Sequence, residues 1–210
     1  MIKNLVFDFG GVIVDIDKNK AIRQFKELGV TDIEHYLGLY AQKGIFLEVE
    51  EGAIDDVTFC EKLSELVGKE LSYDEVKEAW LSFFLTLDES KLDYIDTLKS
   101  NYDLYILSNT NPFIQSWAQS PGFSSYGRPL NDYFDKIYTS YEIGCIKPHR
   151  EIFDFMLKDA NLNPTETLFI DDGPKNIEVA QELGLKTYLA LPQKDWQNDL
   201  TELLRQEGLK

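Results

Sequence analysis

Cysteine is almost absent: the 210 residues contain two, Cys60 and Cys145, far apart and outside any thiolate metal-ligand spacing. A disulfide framework is excluded, and both thiols read as small buried hydrophobes. Long apolar runs are missing too. None approaches the roughly 20 residues that cross a bilayer, and Met1-Ile2-Lys3-Asn4 leads straight into a strand pattern rather than a signal peptide. The expectation is a cytoplasmic protein with no membrane partner. Basic residues are few beside the acids, 21 against 37, which sets a net charge of −16 and a pI near 4.5. No cluster of Lys and Arg offers a landing strip for a polyphosphate backbone, so nucleic acid is not expected as a partner. A small phosphorylated substrate meets the same repulsion, but salt screens distant charges over about 8 Å. One local cation and one lysine can therefore dominate a pocket, and the acidity argues for a bound metal.

Core material is plentiful. With 43% hydrophobic and 13% aromatic residues, the chain can bury a full core and supply a small accessory domain. Residues 2–7 read as a mostly continuous apolar strand ending on Asp8-Phe9-Gly10-Gly11. Further buried strands are predicted at 104–107, 136–139, 168–170 and 186–189. Helical signals lie between them: Asp88 capping ahead of Leu92, Ile95 and Leu98, then residues 151–160, then 175–183, opened by Pro174 and closed by Gly184. Strands alternating with helices predict an α/β fold with a doubly wound parallel sheet.

From Asp17 to Leu87 no strand is predicted. Apolar residues there recur at spacings of three and four, as in Ile22, Phe25 and Leu28, or Val76, Trp80 and Phe83. Ser72 with Glu75 predicts a capping box, and Gly29, Gly52 and Gly68 mark turns. The predicted plan is a core built from residues 1–16 and 88–210, with a helical cap domain, 17–87, inserted after the first strand.

Four polar clusters follow apolar strands or open helices, where ligands gather in doubly wound sheets. They are Asp8, Ser108-Asn109-Thr110, Lys147-Pro148 and Asp171-Asp172. Singly, each has an ordinary explanation in capping, turns or solvated surface. Jointly, in this order, they supply what phosphoryl transfer needs: an attacking oxygen, a site for a divalent cation, and donors around the equatorial oxygens. Asp8 can attack, and Asp172 with Asp171 can hold magnesium, which favours carboxylate, carbonyl and water oxygens. Ser108 can donate hydrogen bonds, and Lys147 supplies a fixed positive charge.

At these residues the sequence resembles the haloacid dehalogenase superfamily over nearly its whole length. The motifs are Phe7-Asp8-Phe9-Gly10-Gly11-Val12-Ile13-Val14-Asp15, Leu107-Ser108-Asn109-Thr110, Lys147-Pro148, and Asp171-Asp172 followed by Asn176. The resemblance implies a Rossmann-like core, a helical cap after the first motif, Mg2+ and an aspartyl-phosphate intermediate. It implies Asp8 as nucleophile and metal ligand, the Gly10 carbonyl and Asp172 as further ligands, and Asp171 supporting the metal site. It also implies Ser108 and Asn109 binding phosphoryl oxygens, Lys147 neutralising them, and Asn176 orienting the acidic pair. Within the superfamily the sequence is similar to bacterial sugar-phosphate phosphatases of the glucose-1-phosphate phosphatase kind.

One departure stands out. Most phosphatases of the superfamily carry a second aspartate two positions after the nucleophile, as acid and base, and here that position is Gly10. Positioned acid–base catalysis contributes roughly 10² to 10⁴-fold, so its absence predicts slow turnover, a good leaving group or a substitute proton donor. The candidates are His149, His35 and the cap acids Glu48, Glu50 and Glu51, while Asp15 and Asp17 flank the expected hinge. The expected function is magnesium-dependent hydrolysis of a small phosphorylated metabolite. Its rivals are a metal-independent haloacid dehalogenase and a catalytically degenerate binding module.

Overall fold

The computed structural model describes residues 1–38, 42–191 and 194–208. Five strands form one parallel sheet in the order β5-β4-β1-β6-β7, and two more form an antiparallel ribbon of β2 and β3. They are β1 (Asn4–Phe7), β2 (Val14–Ile16), β3 (Phe84–Leu87), β4 (Asp103–Ser108), β5 (Lys136–Thr139), β6 (Thr167–Asp171) and β7 (Lys186–Leu189). The helices before β3 are α1 (Lys18–Glu27), α2 (Ile33–Tyr36), α3 (Ile45–Glu50), α4 (Asp56–Val67) and α5 (Tyr73–Leu81). Those after it are α6 (Glu89–Leu98), α7 (Pro112–Ala118), α8 (Ser140–Ile143), α9 (Arg150–Asp159), α10 (Pro174–Glu182) and α11 (Gln197–Gly208). Among the described residues no helix is long and apolar enough to cross a membrane.

β1 is central because its residues are apolar on both faces. Leu5 and Phe7 point into one cluster with Leu92, Ile95, Phe113 and Trp196, while Val6 points into the other with Phe153, Met156, Phe169 and Ile177. The period-two alternation of a strand places successive side chains on opposite faces, so helices must cover both. Phe7 aligns with Ile106 of β4 on one side and Ile170 of β6 on the other. The strand order reverses at β1, and the crevice this leaves lies beyond its carboxyl end.

The segment between β2 and β3 is helical, but its last four residues correct the expectation that it holds no strand. β3 pairs antiparallel with β2, Val14 with Leu87 and Asp15 with Thr86. A four-residue strand is too short to show a period, and its partner lies far back in the chain. Asp15 accepts from the buried Lys91 ammonium at 3.0 Å at the base of this ribbon, and Asp17 caps α1, accepting from the Asn19 and Lys20 amides. The capping box forms at α5, with the Ser72 N–H donating to Glu75 at 2.8 Å.

Aromatic rings fill the inserted helices. Phe25, Phe46, Phe59 and Trp80 are buried, with edge-on pairs at 5.0 Å (Phe25 and Phe46) and 5.1 Å (Phe46 and Phe59). The packing continues into the sheet half through Phe113 of α7, 5.6 Å from Phe59. Gly52, at φ +69°, lets the insertion close on α8, because a Cβ there would fall 2.0 Å from the Tyr141 carbonyl oxygen. Cys60 and Cys145 are free and half-buried, more open than their apolar character led one to expect.

Candidate active site

Asp8, Ser108 and Asp171 are neighbours because β1 lies between β4 and β6. The Asp8 N–H donates to the Ile170 carbonyl at 2.8 Å, and a carboxylate oxygen accepts from the Phe9 N–H at 2.7 Å. The loop beyond is pinned by Trp196, whose indole N–H donates to the Val12 carbonyl at 2.9 Å.

Lys147 arrives from the turn between α8 and α9 and is 1% exposed. An ammonium has three N–H donors, and three acceptors meet them. The Leu107 carbonyl and Asp171 carboxylate each lie at 2.7 Å, and the Asp8 carboxylate at 2.8 Å. Asn109 grips the backbone of Lys147 from both sides. Its side-chain oxygen accepts from the Lys147 N–H at 2.7 Å, and its amide donates to the Lys147 carbonyl at 2.9 Å. The other Asp171 oxygen accepts from the Gly173 N–H at 2.7 Å and the Asn176 amide at 2.9 Å.

Burial disfavours the ionised form of these carboxyls. It pushes Asp8 up to about 8 against the pull of Lys147, with Asp171 and Asp172 adding to the rise. Burial and then the neighbouring Asp171 push Asp172 up to about 6. On Lys147 burial acts downward, but Asp171 and Asp8 outweigh it and hold the ammonium above the ordinary lysine range.

Asp8, Asp171 and Asp172 each offer an oxygen, all within 4.8 Å of one another. An oxygen-only donor set suits a hard divalent cation such as magnesium. Gly11 leaves room for the Asp172 carboxylate: at φ +85° it carries no side chain, and a Cβ there would lie 2.3 Å from an Asp172 carboxylate oxygen. Asp8 and Asp172 face a cavity of about 130 Å³. Its floor includes Asp8, Gly10, Ser108, Asn109, Lys147, Asp172 and Asn176, and its upper wall includes Gln42, Glu50, Trp80, Phe83 and Phe84.

Residues 2–184 match the family described as hydrolase, haloacid dehalogenase-like. The chain belongs to the haloacid dehalogenase-like hydrolases. It is 54% identical over 204 residues to D-ribitol-5-phosphate phosphatase of Bacteroides thetaiotaomicron, covering 97% of this chain and 99% of that protein. A solved structure of a predicted HAD-like family hydrolase from Porphyromonas gingivalis superposes with a TM-score of 0.94, 44% identity and 98% of both chains covered. A HAD family enzyme from Bacteroides thetaiotaomicron, an aspartate-to-alanine mutant in complex with magnesium and inorganic phosphate, gives a TM-score of 0.90. It is 38% identical, with 95% of this chain and 99% of that one covered.

In this haloacid dehalogenase-like hydrolase the remaining candidates separate cleanly. His35 and His149 are exposed, and His149 stands at the start of α9. Glu48 pairs with Lys62 at 2.7 Å. Glu50 turns inward and is buried on the cavity wall. The aromatic wall of Trp80, Phe83 and Phe84, together with Gln42, escaped the sequence reading. Trp80 and Phe83 do carry the helical apolar spacing, but that spacing cannot separate core-facing from cavity-facing positions. The double grip of Asn109 on Lys147 was equally hidden, since an Asn after a strand reads as an anion donor or a cap.

Proposed function

We propose that this enzyme hydrolyses the phosphate monoester of a small polyhydroxylated metabolite, a sugar or sugar-alcohol phosphate, with magnesium bound and Asp8 as nucleophile. The observation that carries the reading is the convergence of three carboxylates beside a cavity, two of them bonded to one buried lysine. Asp8, the Gly10 carbonyl and Asp172 would hold the ion. When bound, it supplies positive charge to the phosphoryl oxygens and keeps the Asp8 carboxylate ionised.

The protein's own groups do the rest. One Asp8 oxygen is held by the Phe9 N–H and Lys147, which fixes the carboxylate for in-line attack. Lys147 acts as a fixed charge, since its three donors are already engaged. Asp171 anchors Lys147 and is itself oriented by Asn176, while Asn109 positions the same lysine through its backbone. The Ser108 hydroxyl makes only a long 3.4 Å bond to the Asn109 carbonyl, so it is available to a phosphoryl oxygen. Residues 17–87 act as the cap that closes the cavity from above.

The substrate class is supported by the 54% identity, over nearly the whole chain, to a phosphatase named for D-ribitol 5-phosphate. A metal-free dehalogenase is disfavoured because paired carboxylates beside the nucleophile raise its ionisation cost unless a cation is present. The test is a phosphate-release screen over pentitol, hexose and aryl phosphates, with magnesium and with chelator. Asp8→Asn should fall to background while remaining folded, because the amide is nearly isosteric and a poor nucleophile. Full turnover by that variant, or undiminished turnover in chelator, refutes the reading.

A further inference from the structure

The proposed chemistry leaves one demand unmet. When phosphorus moves from a sugar-alcohol oxygen to Asp8, the departing alkoxide is a strong base and needs a proton. Gly10 has no side chain to offer one. Among the described residues that line the cavity, Asp8 is the attacking group, Asp172 is assigned to the metal, and the Lys147 ammonium is held by three acceptors. The amides of Gln42, Asn109 and Asn176 are not acids. One carboxyl is left, that of Glu50.

We propose that Glu50 is the general acid and base of this enzyme, delivered from the upper wall of the cavity, an assignment that rests on Asp8 being the nucleophile. In the first step the Asp8 oxygen–phosphorus bond forms, the bond from phosphorus to the substrate oxygen breaks, and that oxygen takes the Glu50 proton. In the second step water attacks phosphorus, the Asp8 oxygen–phosphorus bond breaks, and the Glu50 carboxylate takes the water proton. Glu50 ends protonated, ready for the next turnover.

The surroundings of Glu50 suit the resting acid. It is the last residue of α3, 6% exposed, with no salt-bridge partner among the described residues. Its nearby cavity wall is aromatic, through Trp80, Phe83 and Phe84. Burial pushes it up to about 8, with the Gln42 side chain pulling down and Glu51 adding to the rise. A carboxyl kept neutral by an apolar site beside a second carboxyl that reacts ionised is a recurring division of labour. Glu48 and Glu51 cannot substitute, since neither lines the cavity and Glu48 is committed to Lys62.

The test compares Glu50→Gln with wild type on D-ribitol 5-phosphate, whose leaving group is a poor alkoxide, and on p-nitrophenyl phosphate, whose leaving group departs without help. The expected result is a fall of about 100-fold or more in kcat/KM on the alkyl substrate, with the alkyl-to-aryl ratio of kcat/KM reduced at least tenfold, while kcat falls on both substrates because hydrolysis at Asp8 is common to them. Equal loss of kcat/KM on both substrates, or an unchanged kcat on the alkyl substrate, overturns the proposal in favour of a structural or binding role. A second measurement needs no variant. Across a series of aryl phosphates, wild-type kcat/KM should depend only weakly on the basicity of the leaving group, and a steep dependence overturns the proposal. Full turnover by Asp8→Asn would instead sink the nucleophile assignment beneath it.

Discussion

Two adjacent glycines should respond in opposite ways to alanine. At Gly11 the backbone is left-handed, φ +85°, and an added Cβ would sit 2.3 Å from an Asp172 carboxylate oxygen and 2.7 Å from its Cγ. Ordinary contact for a Cβ begins near 3.4 Å, so the Asp172 carboxylate must retreat by about 1 Å, and the backbone conformation itself costs about 1–2 kcal/mol for a non-glycine residue. Magnesium demands ligand oxygens near 2.0–2.1 Å in octahedral array, so a displacement of this size removes a ligand. At Gly10 the φ is not positive, and the added Cβ would meet only the Ile16 Cγ2 at 3.5 Å, an ordinary contact. Gly11→Ala should therefore weaken magnesium binding at least tenfold by titration calorimetry and lower kcat about 100-fold. Gly10→Ala should change either by less than threefold. Equal effects in the two variants, or wild-type magnesium affinity in Gly11→Ala, would refute the assignment of Asp172 to the metal.

Two further outcomes follow from buried charge. Lys147→Met leaves Asp8 and Asp171 buried without their shared cation, and removing one partner of a buried ion pair costs about 3–5 kcal/mol. Urea denaturation of the metal-free protein at neutral pH should show a loss of that order, and a loss below about 1 kcal/mol would contradict the geometry. Glu50, pushed from an ordinary 4.5 up to about 8, favours the folded state only while protonated. Its contribution is complete below about pH 4.5 and is lost as pH rises through about 8, at on the order of 1.4 kcal/mol per pH unit. Metal-free Glu50→Gln should therefore gain stability relative to wild type between pH 5 and pH 8.5, and a constant difference across that range would show that Glu50 is not buried as described.

Much of this molecule was legible in the sequence because its signals are local. β1, β4 and β6 are apolar runs ending on polar residues, and such runs are the mark of strands covered on both faces. β3 was not legible: it is four residues long, and its Thr86 meets Asp15 across 71 positions. The inward turn of Glu50 was hidden for a related reason. Glu48, Glu50 and Glu51 lie together at the end of a six-residue helix, too short for periodicity to say which one faces in. Tertiary contact decides, Glu48 toward Lys62 and Glu50 toward the cavity. Asn109 shows the same limit, since its side chain answers to Lys147, 38 positions away.

The charge arrangement ties these pieces together. Asp8, Asp171 and Asp172 against Lys147 leave the ionised site with a formal charge of −2. Desolvation makes such an excess expensive, and the upward shifts of Asp8 and Asp172 express it. A divalent cation balances the excess, so that an incoming phosphate dianion enters a neutral site rather than an anionic one. A second aspartate at position 10 would bring a further negative charge two residues from the nucleophile. A protonated Glu50 on the opposite wall brings a donor with no charge at all, and becomes an anion only after the leaving oxygen has taken its proton.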